Sequence, residues 1–346
     1  MYIPIEDLTN DLVELLNIPS PTGNSRQAVE YIQKLFHELN IDTALTTKGA
    51  LIATLPGADD SRSITLSAHV DTLGAMVKEV KGNGRLKIAQ LGGYVMNTIE
   101  GEHVVIETND GHKYTGTVMI NKASSHVHGE ETKSTERNTI NMEVRIDENV
   151  SSKEDVLKLG IEVGDYISFD PRVKVTESGY IKSRHLDDKA GVISLVGIAK
   201  YLMENNIKPR YNTNFFISTY EEVGHGASAS IPQNTFEFIA VDMAAPGEGQ
   251  TSDEFSVTIC AKDSSGPYDL DVKKKLVKLC KDEGINYKVD IYPYYGSDGS
   301  AALRSGYDFK VGLIGPGVDA SHSFERTHKN ALVETIKLGI AYITSF

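Results

Sequence analysis

The sequence predicts an α/β fold, in which helices cover a sheet, with a small β domain inserted into it. Near the start of the chain, apolar residues alternate between helical and strand-like spacing, and the same alternation resumes after Pro171. Between about Gly74 and about Asp170 only short strands are indicated. We therefore expect an α/β domain at residues 1–73 and 171–346 and a β domain at residues 74–170.

The first part of the α/β domain contains two amphipathic helices and two buried strands. Ser20-Pro21-Thr22-Gly23 forces a loop between the helices, and Ser25 is a candidate N-cap for the second helix. The predicted elements are helices at 8–16 and 29–39 and strands at 51–55 and 64–70.

Residues 74–170 contain a β-hairpin signal at Asn109-Asp110-Gly111, which separates strand-like runs at 103–108 and 112–120. The Asp-Gly pair is suited to the positive φ angles of a tight hairpin turn. Further strands are indicated at 86–91 and 141–146, and no amphipathic helix is evident. The inserted domain is therefore predicted to be a small, barrel-like β structure.

The part of the chain after Pro171 completes the sheet and its helical cover. Strand-like runs of the buried type alternate with segments whose apolar residues recur every three or four positions. The predicted elements are helices at 191–204, 270–280 and 331–343 and strands at 213–220, 238–241 and 311–314.

The 346 residues include 35 Lys and Arg against 48 Asp and Glu, a formal net charge of −13. Such a chain repels phosphate backbones and anionic lipid headgroups, so neither nucleic acid nor a membrane is an expected partner. No run approaches the roughly 20 apolar residues of a membrane span. The first residues show no export signal, and Cys260 and Cys280 cannot form a disulfide framework, so a cytoplasmic location is predicted.

Several His, Asp and Glu residues stand where predicted strands end, which is where open α/β sheets place their ligands. In His69-Val70-Asp71 the strand alternation puts His69 and Asp71 on one face. The Asp71 carboxylate is then expected to accept a hydrogen bond from one imidazole nitrogen and leave the other nitrogen for a metal ion. A buried histidine that is merely satisfied by this carboxylate is the structural alternative.

Two acidic pairs follow along the chain. Asp187-Asp188 precedes the helix near Gly191, where the helix dipole alone explains acidic residues, but Asp187 also offers two oxygens that two cations can share. Glu221-Glu222 follows an apolar strand, and adjacent side chains on extended backbone point apart. One glutamate can then bind a metal while the other acts on water. A surface pair at a strand end is the alternative.

Asp242 and His322 complete the set of candidates. Asp242 follows the strand at 238–241, a position that is equally usual for a capping aspartate. His322 lies in a loop after the strand at 311–314, where a solvent-exposed histidine is equally common. Taken together, the clusters occupy the ends of different strands, and their nitrogen and oxygen donors suit Zn²⁺.

The chain resembles the co-catalytic di-metal aminopeptidases of the tetrahedral aminopeptidase and glutamyl aminopeptidase family, which includes the deblocking aminopeptidases. The resemblance covers essentially the whole chain and rests on the ordered set His69-x-Asp71, Asp187-Asp188-Lys189, Glu221-Glu222, Asp242 and His322, with residues 20–23 and 296–299. Related carboxypeptidases and dipeptidases use a similar ligand order, but their H-x-D motif and bridging aspartate are close in sequence. Here residues 72–186 separate the two, which is typical of the tetrahedral aminopeptidases.

The resemblance implies a mixed sheet flanked by helices, as in other zinc peptidases, and metal-dependent hydrolysis of N-terminal residues from peptides. It implies two divalent cations per subunit, zinc in the first place, with cobalt and manganese as alternatives. Glu221 would be the general base, and Asp71 would be the second catalytic residue. The implied ligands are His69, Asp187 and Asp242 for one ion and Asp187, Glu222 and His322 for the other.

The same resemblance implies homo-oligomers, built from dimers that associate through residues 74–170 and assembled in some members into a dodecamer. Here the usual tyrosine before the last histidine is missing and a further histidine follows, so His328 is an alternative ligand to His322. His322 is favoured because Ser323 follows it in the family manner. His126 and His128 are interpreted as surface residues, although a comparable loop approaches the active-site surroundings in this family.

Two other classes of function stay open at this point. A related di-metal hydrolase, such as a dipeptidase, deacylase, phosphoesterase or endoglucanase, would use similar residues. Against these, adjacent glutamates do not flank a glycosidic bond, and no arginine clamp for a phosphate is evident. A non-catalytic, metal-stabilised scaffold is the other alternative, and the presence of Glu221 favours an enzyme.

Overall fold

The computed structural model describes all 346 residues, which form two compact units. One unit contains Met1–Asp71 and Arg172–Phe346, and the other contains Thr72–Pro171. The smaller unit is therefore an insertion within the sequence of the larger one. None of the helices combines the length and the apolar character that crossing a membrane requires.

The chain contains eighteen β-strands, nine α-helices and three short 3₁₀ turns. The strands are β1 (Thr43–Leu45), β2 (Leu51–Leu55), β3 (Asp59–His69), β4 (Gly74–Val80), β5 (Leu86–Leu91), β6 (His103–Glu107), β7 (Lys113–Ile120), β8 (Met142–Ile146), β9 (Tyr166–Phe169), β10 (Lys174–Val175), β11 (Tyr180–Ser183), β12 (Tyr211–Ser218), β13 (Thr235–Val241), β14 (Val257–Asp263), β15 (Gly266–Pro267), β16 (Tyr287–Ile291), β17 (Lys310–Pro316) and β18 (Glu325–His328). The helices are α1 (Ile5–Leu16), α2 (Arg26–Glu38), α3 (Ser125–His128), α4 (Glu130–Ser134), α5 (Lys153–Lys158), α6 (Leu186–Glu204), α7 (Leu270–Glu283), α8 (Asp298–Arg304) and α9 (Lys329–Thr344). The 3₁₀ turns are Met96–Ile99, Glu221–Val223 and Gly226–Ser228.

The larger unit is built on a nine-stranded mixed sheet in the order β1-β2-β12-β3-β13-β17-β14-β15, with β16 paired to β14. The central strands β12, β3, β13 and β17 are parallel, while β2 and β14 join them in antiparallel orientation. A second, three-stranded antiparallel sheet has the order β10-β11-β18. Because the central strands are parallel, their carboxyl ends lie at one edge of the sheet, where ligands are expected.

Apolar side chains cover both faces of the large sheet. Along β12, Phe215 and Ile217 belong to the main core with α1, α2, α6, α7 and α9, whereas Phe216 belongs to a second core that includes Ala302 of α8. This alternation follows from the two-residue period of a strand. Every residue of α6 up to Ala199 is buried, as expected for a helix enclosed by the sheet, α1 and α9.

The smaller unit is a closed antiparallel barrel in the order β4-β5-β8-β7-β6-β9, and β9 pairs back with β4. The hairpin β6–β7 turns at the predicted Asn109-Asp110-Gly111, where Gly111 has a φ of +84°. Buried apolar residues such as Val104, Ile106 and Val118 fill the interior. Closure leaves the barrel without an unpaired edge strand.

The predicted fold class, a mixed sheet flanked by helices with an inserted barrel-like domain, is confirmed, and one local expectation is corrected. Helices α3, α4 and α5 lie in the barrel unit, where none was expected, because each has six residues or fewer, too few to show a period. A reciprocal capping box between Ser152 and Asp155 stabilises α5. Ser25 is the N-cap residue of α2, as expected, although its side chain makes no cap bond. Strand β16 was not predicted from the sequence; it buries Asp290 and exposes Ile291, the reverse of the usual polarity pattern of a strand.

Candidate metal centre

The parallel strands bring the predicted site residues to one edge of the large sheet. His69 is the last residue of β3, and it lies opposite Ser218, the last residue of β12. Strands β13 and β17 also end side by side, so Asp242 and the loop that carries His322 leave the sheet at the same edge. Residues far apart in sequence are thereby placed in one cluster.

His69 is buried, with 2% of the residue exposed, and both ring nitrogens have partners. Its Nε2 lies 3.1 Å from Oδ1 of Asp187 and 3.7 Å from Oε2 of Glu221. Its Nδ1 lies 2.9 Å from the backbone carbonyl oxygen of Asp71 and 3.7 Å from the carboxylate of that residue. The predicted bond to the Asp71 carboxylate is therefore corrected to the carbonyl, because β3 ends at His69 and strand alternation does not extend to Asp71. Since a carbonyl only accepts, Nε2 is the nitrogen left for a metal ion.

The Asp71 carboxylate is fully buried and organises the Glu-Glu turn. It accepts hydrogen bonds from the backbone N–H groups of Glu221 at 3.1 Å and Glu222 at 3.4 Å. It also accepts from the hydroxyl of Thr22 at 2.7 Å, and Ser20 donates to the carbonyl oxygen that precedes Asp71. The loop between α1 and α2 thus contributes directly to the support of the site.

Asp187 and Asp188 lie at the start of α6 without helical backbone angles, and the peptide bond between them is cis. Oδ1 of Asp187 faces His69, and Oδ2 lies 3.2 Å from Nε2 of His322. The Asp188 carboxylate accepts from the backbone N–H groups of Gly191 at 3.2 Å and His69 at 3.3 Å. A Cβ at position 191 would lie 2.4 Å from this carboxylate, so glycine is required there.

Glu221 and Glu222 occupy a 3₁₀ turn, which corrects the extended backbone expected for them. Strand β12 has already ended, and Tyr220, with a φ of +73°, redirects the chain. The two side chains nevertheless face different partners. Oε2 of Glu221 lies near His69, whereas Oε2 of Glu222 lies 3.7 Å from Nε2 of His322.

Of the two candidate histidines near the end of the chain, His322 lies among the carboxylates. Its backbone N–H and that of Asp187 donate to the Glu325 carboxylate at 3.0 and 3.1 Å. His328 instead caps α9, because its Nδ1 accepts from the backbone N–H of Asn330 at 3.1 Å. Its Nε2 is hydrogen-bonded to a carbonyl oxygen in the turn between β10 and β11.

Two groups of three residues offer metal-ligand atoms within 4.8 Å of one another. The first group is His69, Asp187 and Asp242, and the second group is Asp187, Glu222 and His322. Each group combines one imidazole nitrogen with two carboxylates, a donor set that suits zinc and similar divalent ions. In addition, Oε1 of Glu222 is buried without a hydrogen-bond partner. A buried carboxylate oxygen without a hydrogen-bond donor is stabilised when a cation binds to it, so these residues fit a pair of cations.

The electrostatics of the cluster also favour positive charge. Burial raises the pKa well above its usual range in three carboxyl groups, those of Asp188, Glu221 and Glu222. Burial likewise raises the pKa of Asp242 to about 7. Burial acts in the same direction on Asp187, but hydrogen bonds from His322 and His69 outweigh it and hold its pKa well below its usual range. Cations placed here would stabilise the carboxylate anions that burial disfavours.

Several supporting residues were not singled out from the sequence. The Lys48 ammonium donates to backbone carbonyls of His225 and Gly226, directly after the Glu-Glu turn. Glu325 was visible only as part of the His322 motif, and its spacing of three residues is the one local signal for its role. His126 and His128 lie in α3 of the barrel unit, and neither belongs to either donor group.

Sequence relatives establish the family of the chain. A family model for the M42 glutamyl aminopeptidases matches residues 49–338. The chain belongs to the M42 glutamyl aminopeptidase family. This M42 chain is also 54% identical over 332 residues to YhfE of Bacillus subtilis (strain 168), a protein provisionally named as an aminopeptidase, and the match covers 96% of each chain.

Solved structures share the fold of this M42 aminopeptidase. Aminopeptidase APDkam598 from the archaeon Desulfurococcus kamchatkensis has a TM-score of 0.88 at 21% identity, covering 99% of this chain and 96% of that one. The TET1 peptidase of Pyrococcus horikoshii, described as assembling into a tetrahedron or a large octahedral shell, has a TM-score of 0.86 at 22% identity. That match covers 98% of this chain and 100% of the TET1 chain.

Family membership makes the chain a metal-dependent aminopeptidase, and a two-metal mechanism is typical of M42 enzymes. The resemblance noted from the sequence and the predicted class of enzyme are therefore confirmed. The assignment favours an aminopeptidase over the dipeptidase, deacylase, phosphoesterase, endoglucanase and scaffold alternatives.

Proposed function

We propose that this M42 aminopeptidase removes N-terminal residues from peptides at a centre of two divalent cations, zinc in the first place. The observation that carries the proposal is that Asp187 belongs to both donor groups, with Oδ1 toward His69 and Oδ2 toward His322. The first group would hold one ion and the second group the other. When bound, the cations supply Lewis acidity toward the attacking water and the scissile carbonyl.

Glu221 is the proposed general base. It stands outside both donor groups, 16% of its side chain is exposed, and its Oε2 faces His69. It takes a proton from the water that attacks the peptide carbonyl carbon. It then delivers that proton to the amine nitrogen as the C–N bond breaks.

Asp71 is proposed as a positioning residue for Glu221. Its carboxylate oxygens accept from Thr22 and from the backbone of the Glu-Glu turn, so its contacts are with the protein rather than with the substrate. In this way Asp71 fixes the position from which the Glu221 side chain extends toward the reacting atoms.

The proposal is tested with chelated and metal-reconstituted protein on a panel of free and N-blocked aminoacyl peptides, with cellulose oligomers alongside. We expect N-terminal residues to be released and this release to be lost on chelation. Glu221→Gln keeps the shape of the side chain but removes the base, so kcat should fall about 10²- to 10⁴-fold at unchanged metal content. The exposed Glu283→Gln is the matched control. A peptidase rate that survives Glu221→Gln would refute the role of this residue.

A homo-oligomer is proposed as well, with subunits that associate through the barrel unit. The assembly described for the TET1 peptidase supports this. The barrel unit also exposes large apolar side chains, with exposed fractions of 64% or more at Val95, Val127, Ile140 and Val163. Exposed apolar side chains of this size are candidates for burial between subunits. Light scattering should give a mass above that of one chain, and a monomeric mass at every concentration would reject the proposal.

A cytoplasmic location is the remaining proposal. The two cysteines, Cys260 and Cys280, are free and buried, which suits a reducing compartment. Cell fractionation followed by immunoblotting tests this, and recovery of the protein in the secreted fraction would overturn it.

A further inference from the structure

We propose that Glu325 is a positioning residue of the metal centre. Its carboxylate holds the backbone of the Asp187 segment and that of the His322 segment at a fixed distance from each other. The inference rests on the proposed function, because it assumes that both donor groups bind a cation. Glu325 itself belongs to neither group. Its contribution is to the placement of two ligands that lie far apart in sequence.

Both oxygens of the Glu325 carboxylate are occupied by backbone donors. Oε2 accepts from the N–H group of Asp187 at 3.1 Å, and Oε1 accepts from the N–H group of His322 at 3.0 Å. The residue is buried, with 2% exposed. Each N–H group donates to a different oxygen, so both bonds are made at the same time. One buried side chain therefore joins the two ligand segments directly.

Strand β18 places Glu325 between these segments. Glu325 pairs with Ser183 of β11, and Ser183 lies four residues before Asp187 on the segment that leads into α6. His322 lies three residues before Glu325 in the loop that enters β18. The pairing of β11 with β18 thus brings the two ligand segments within reach of one carboxylate.

The backbone of both ligand segments, the one before Asp187 and the one at His322, needs stabilising contacts. His185, two residues before Asp187, has a φ of +71°, and His322 itself has a φ of +62°. These angles lie in the left-handed region, which is unfavourable for residues with a Cβ. Such conformations persist only where surrounding contacts hold them. The bonds from Glu325 supply contacts of this kind next to both residues.

The two donor groups should respond differently to the loss of Glu325. Asp187 belongs to both groups, whereas His322 belongs only to the second group. Without the carboxylate, the first group has one loosened ligand and the second group has two. Supporting contacts behind metal ligands typically contribute 10- to 100-fold to affinity. We therefore expect affinity to fall about 10-fold or more at the second site and by a smaller factor at the first.

The experiment titrates Co²⁺ into the chelated full-length protein and follows the heat of binding and the visible absorption of the bound ion. The variants are Glu325→Ala and Glu325→Gln. Glutamine keeps the size of the side chain and one acceptor oxygen, while its NH₂ group faces the second N–H donor, so its effect should be intermediate. Glu325→Gln also preserves the comparison if Glu325→Ala fails to fold. The matched control is Glu254→Gln. It removes an ion pair to Arg326, which follows Glu325 in β18, and it does not touch a ligand segment.

A larger loss of affinity at one of the two sites than at the other in the Glu325 variants, with a changed absorption spectrum and an unaffected Glu254→Gln protein, supports the inference. Two sites of wild-type affinity in both Glu325 variants overturn it while leaving the proposed function intact. Equal losses at both sites, or the same loss in Glu254→Gln, also overturn it, because they reflect general loosening of β18. Wild-type protein that binds fewer than two Co²⁺ ions refutes the proposed function and, with it, the premise of this inference.

Discussion

The backbone N–H group of Glu221 donates a hydrogen bond to the carboxylate of Asp71 at 3.1 Å. The residue two positions beyond His69 therefore holds the start of the turn that carries the two glutamates. The same carboxylate accepts from the hydroxyl of Thr22 at 2.7 Å. One buried side chain thus connects the loop between α1 and α2 with the loops after β3 and β12.

Asp71→Asn should lower kcat about 10- to 100-fold with little change in KM. Asparagine keeps the size of the side chain, but its NH₂ group must face one of the N–H or O–H donors, so the Glu-Glu turn shifts. Steady-state kinetics at saturating metal measure the effect. Thr22→Val, which removes a single donor, serves as the comparison and should cost less. Wild-type kcat in Asp71→Asn would show that this contact does not place Glu221.

His322→Ala and His328→Ala should separate the two candidate ligands. Loss of the His322 imidazole removes a donor of the second group, so one of two cations should be lost on dialysis. His328→Ala should keep both cations and lower the free energy of unfolding by about 1 kcal/mol, because the cap of α9 is lost. Metal analysis by mass spectrometry and urea denaturation give the two readouts. Loss of a cation from His328→Ala alone would reverse the assignment.

Asp298→Ala should destabilise the protein by about 3 kcal/mol or more. The buried Asp298 carboxylate accepts from the hydroxyls of Ser67 and Ser218 and from the backbone N–H of Ala227, and these three buried donors would lose their partner. Urea denaturation of the metal-loaded protein measures the loss. The exposed Asp308→Asn is the control and should change stability by no more than about 0.5 kcal/mol. A loss below about 1 kcal/mol in Asp298→Ala would contradict the structure here.

Lys189 should make stability depend on pH in the alkaline range. Burial lowers its pKa from 10.5 to about 7, and its Nζ donates to the carbonyl oxygens of Leu15 and Ile18 at 2.9 and 2.7 Å. Between these two pKa values the unfolded chain holds a proton that the folded chain has released. The free energy of unfolding contributed by Lys189 therefore rises with pH from about 7 toward 10.5.

Lys189→Met provides the measurement of this effect. The difference in unfolding free energy between wild type and variant, determined by urea denaturation in the presence of chelator, should shift in favour of the wild type as pH rises from about 7 to about 10. Other groups that titrate in this range are common to both proteins and cancel in the difference. A difference that stays constant with pH would show that Lys189 remains charged when buried.

The sequence by itself determined the local structure and much of the composition of the site. Helical periodicity locates α1 and α9, and Asn109-Asp110-Gly111 marks the hairpin turn, because spacing and turn residues act through backbone geometry within a few positions. His69 and Asp242 are recognisable for a related reason. His69 ends a strand of buried type and Asp242 follows another, and the ends of parallel strands share one edge of a sheet.

Only the tertiary structure decided which of these residues touch one another. The acceptor for the His69 Nδ1, the 3₁₀ turn at Glu221, the separation of His322 from His328 and the bond from Asp187 to Glu325 all depend on how distant loops pack. Asp187 and Glu325 are 138 positions apart, and no pattern of spacing within one element reports such a contact. Periodicity describes which face of an element is buried. Packing between elements decides which residues that buried face contacts.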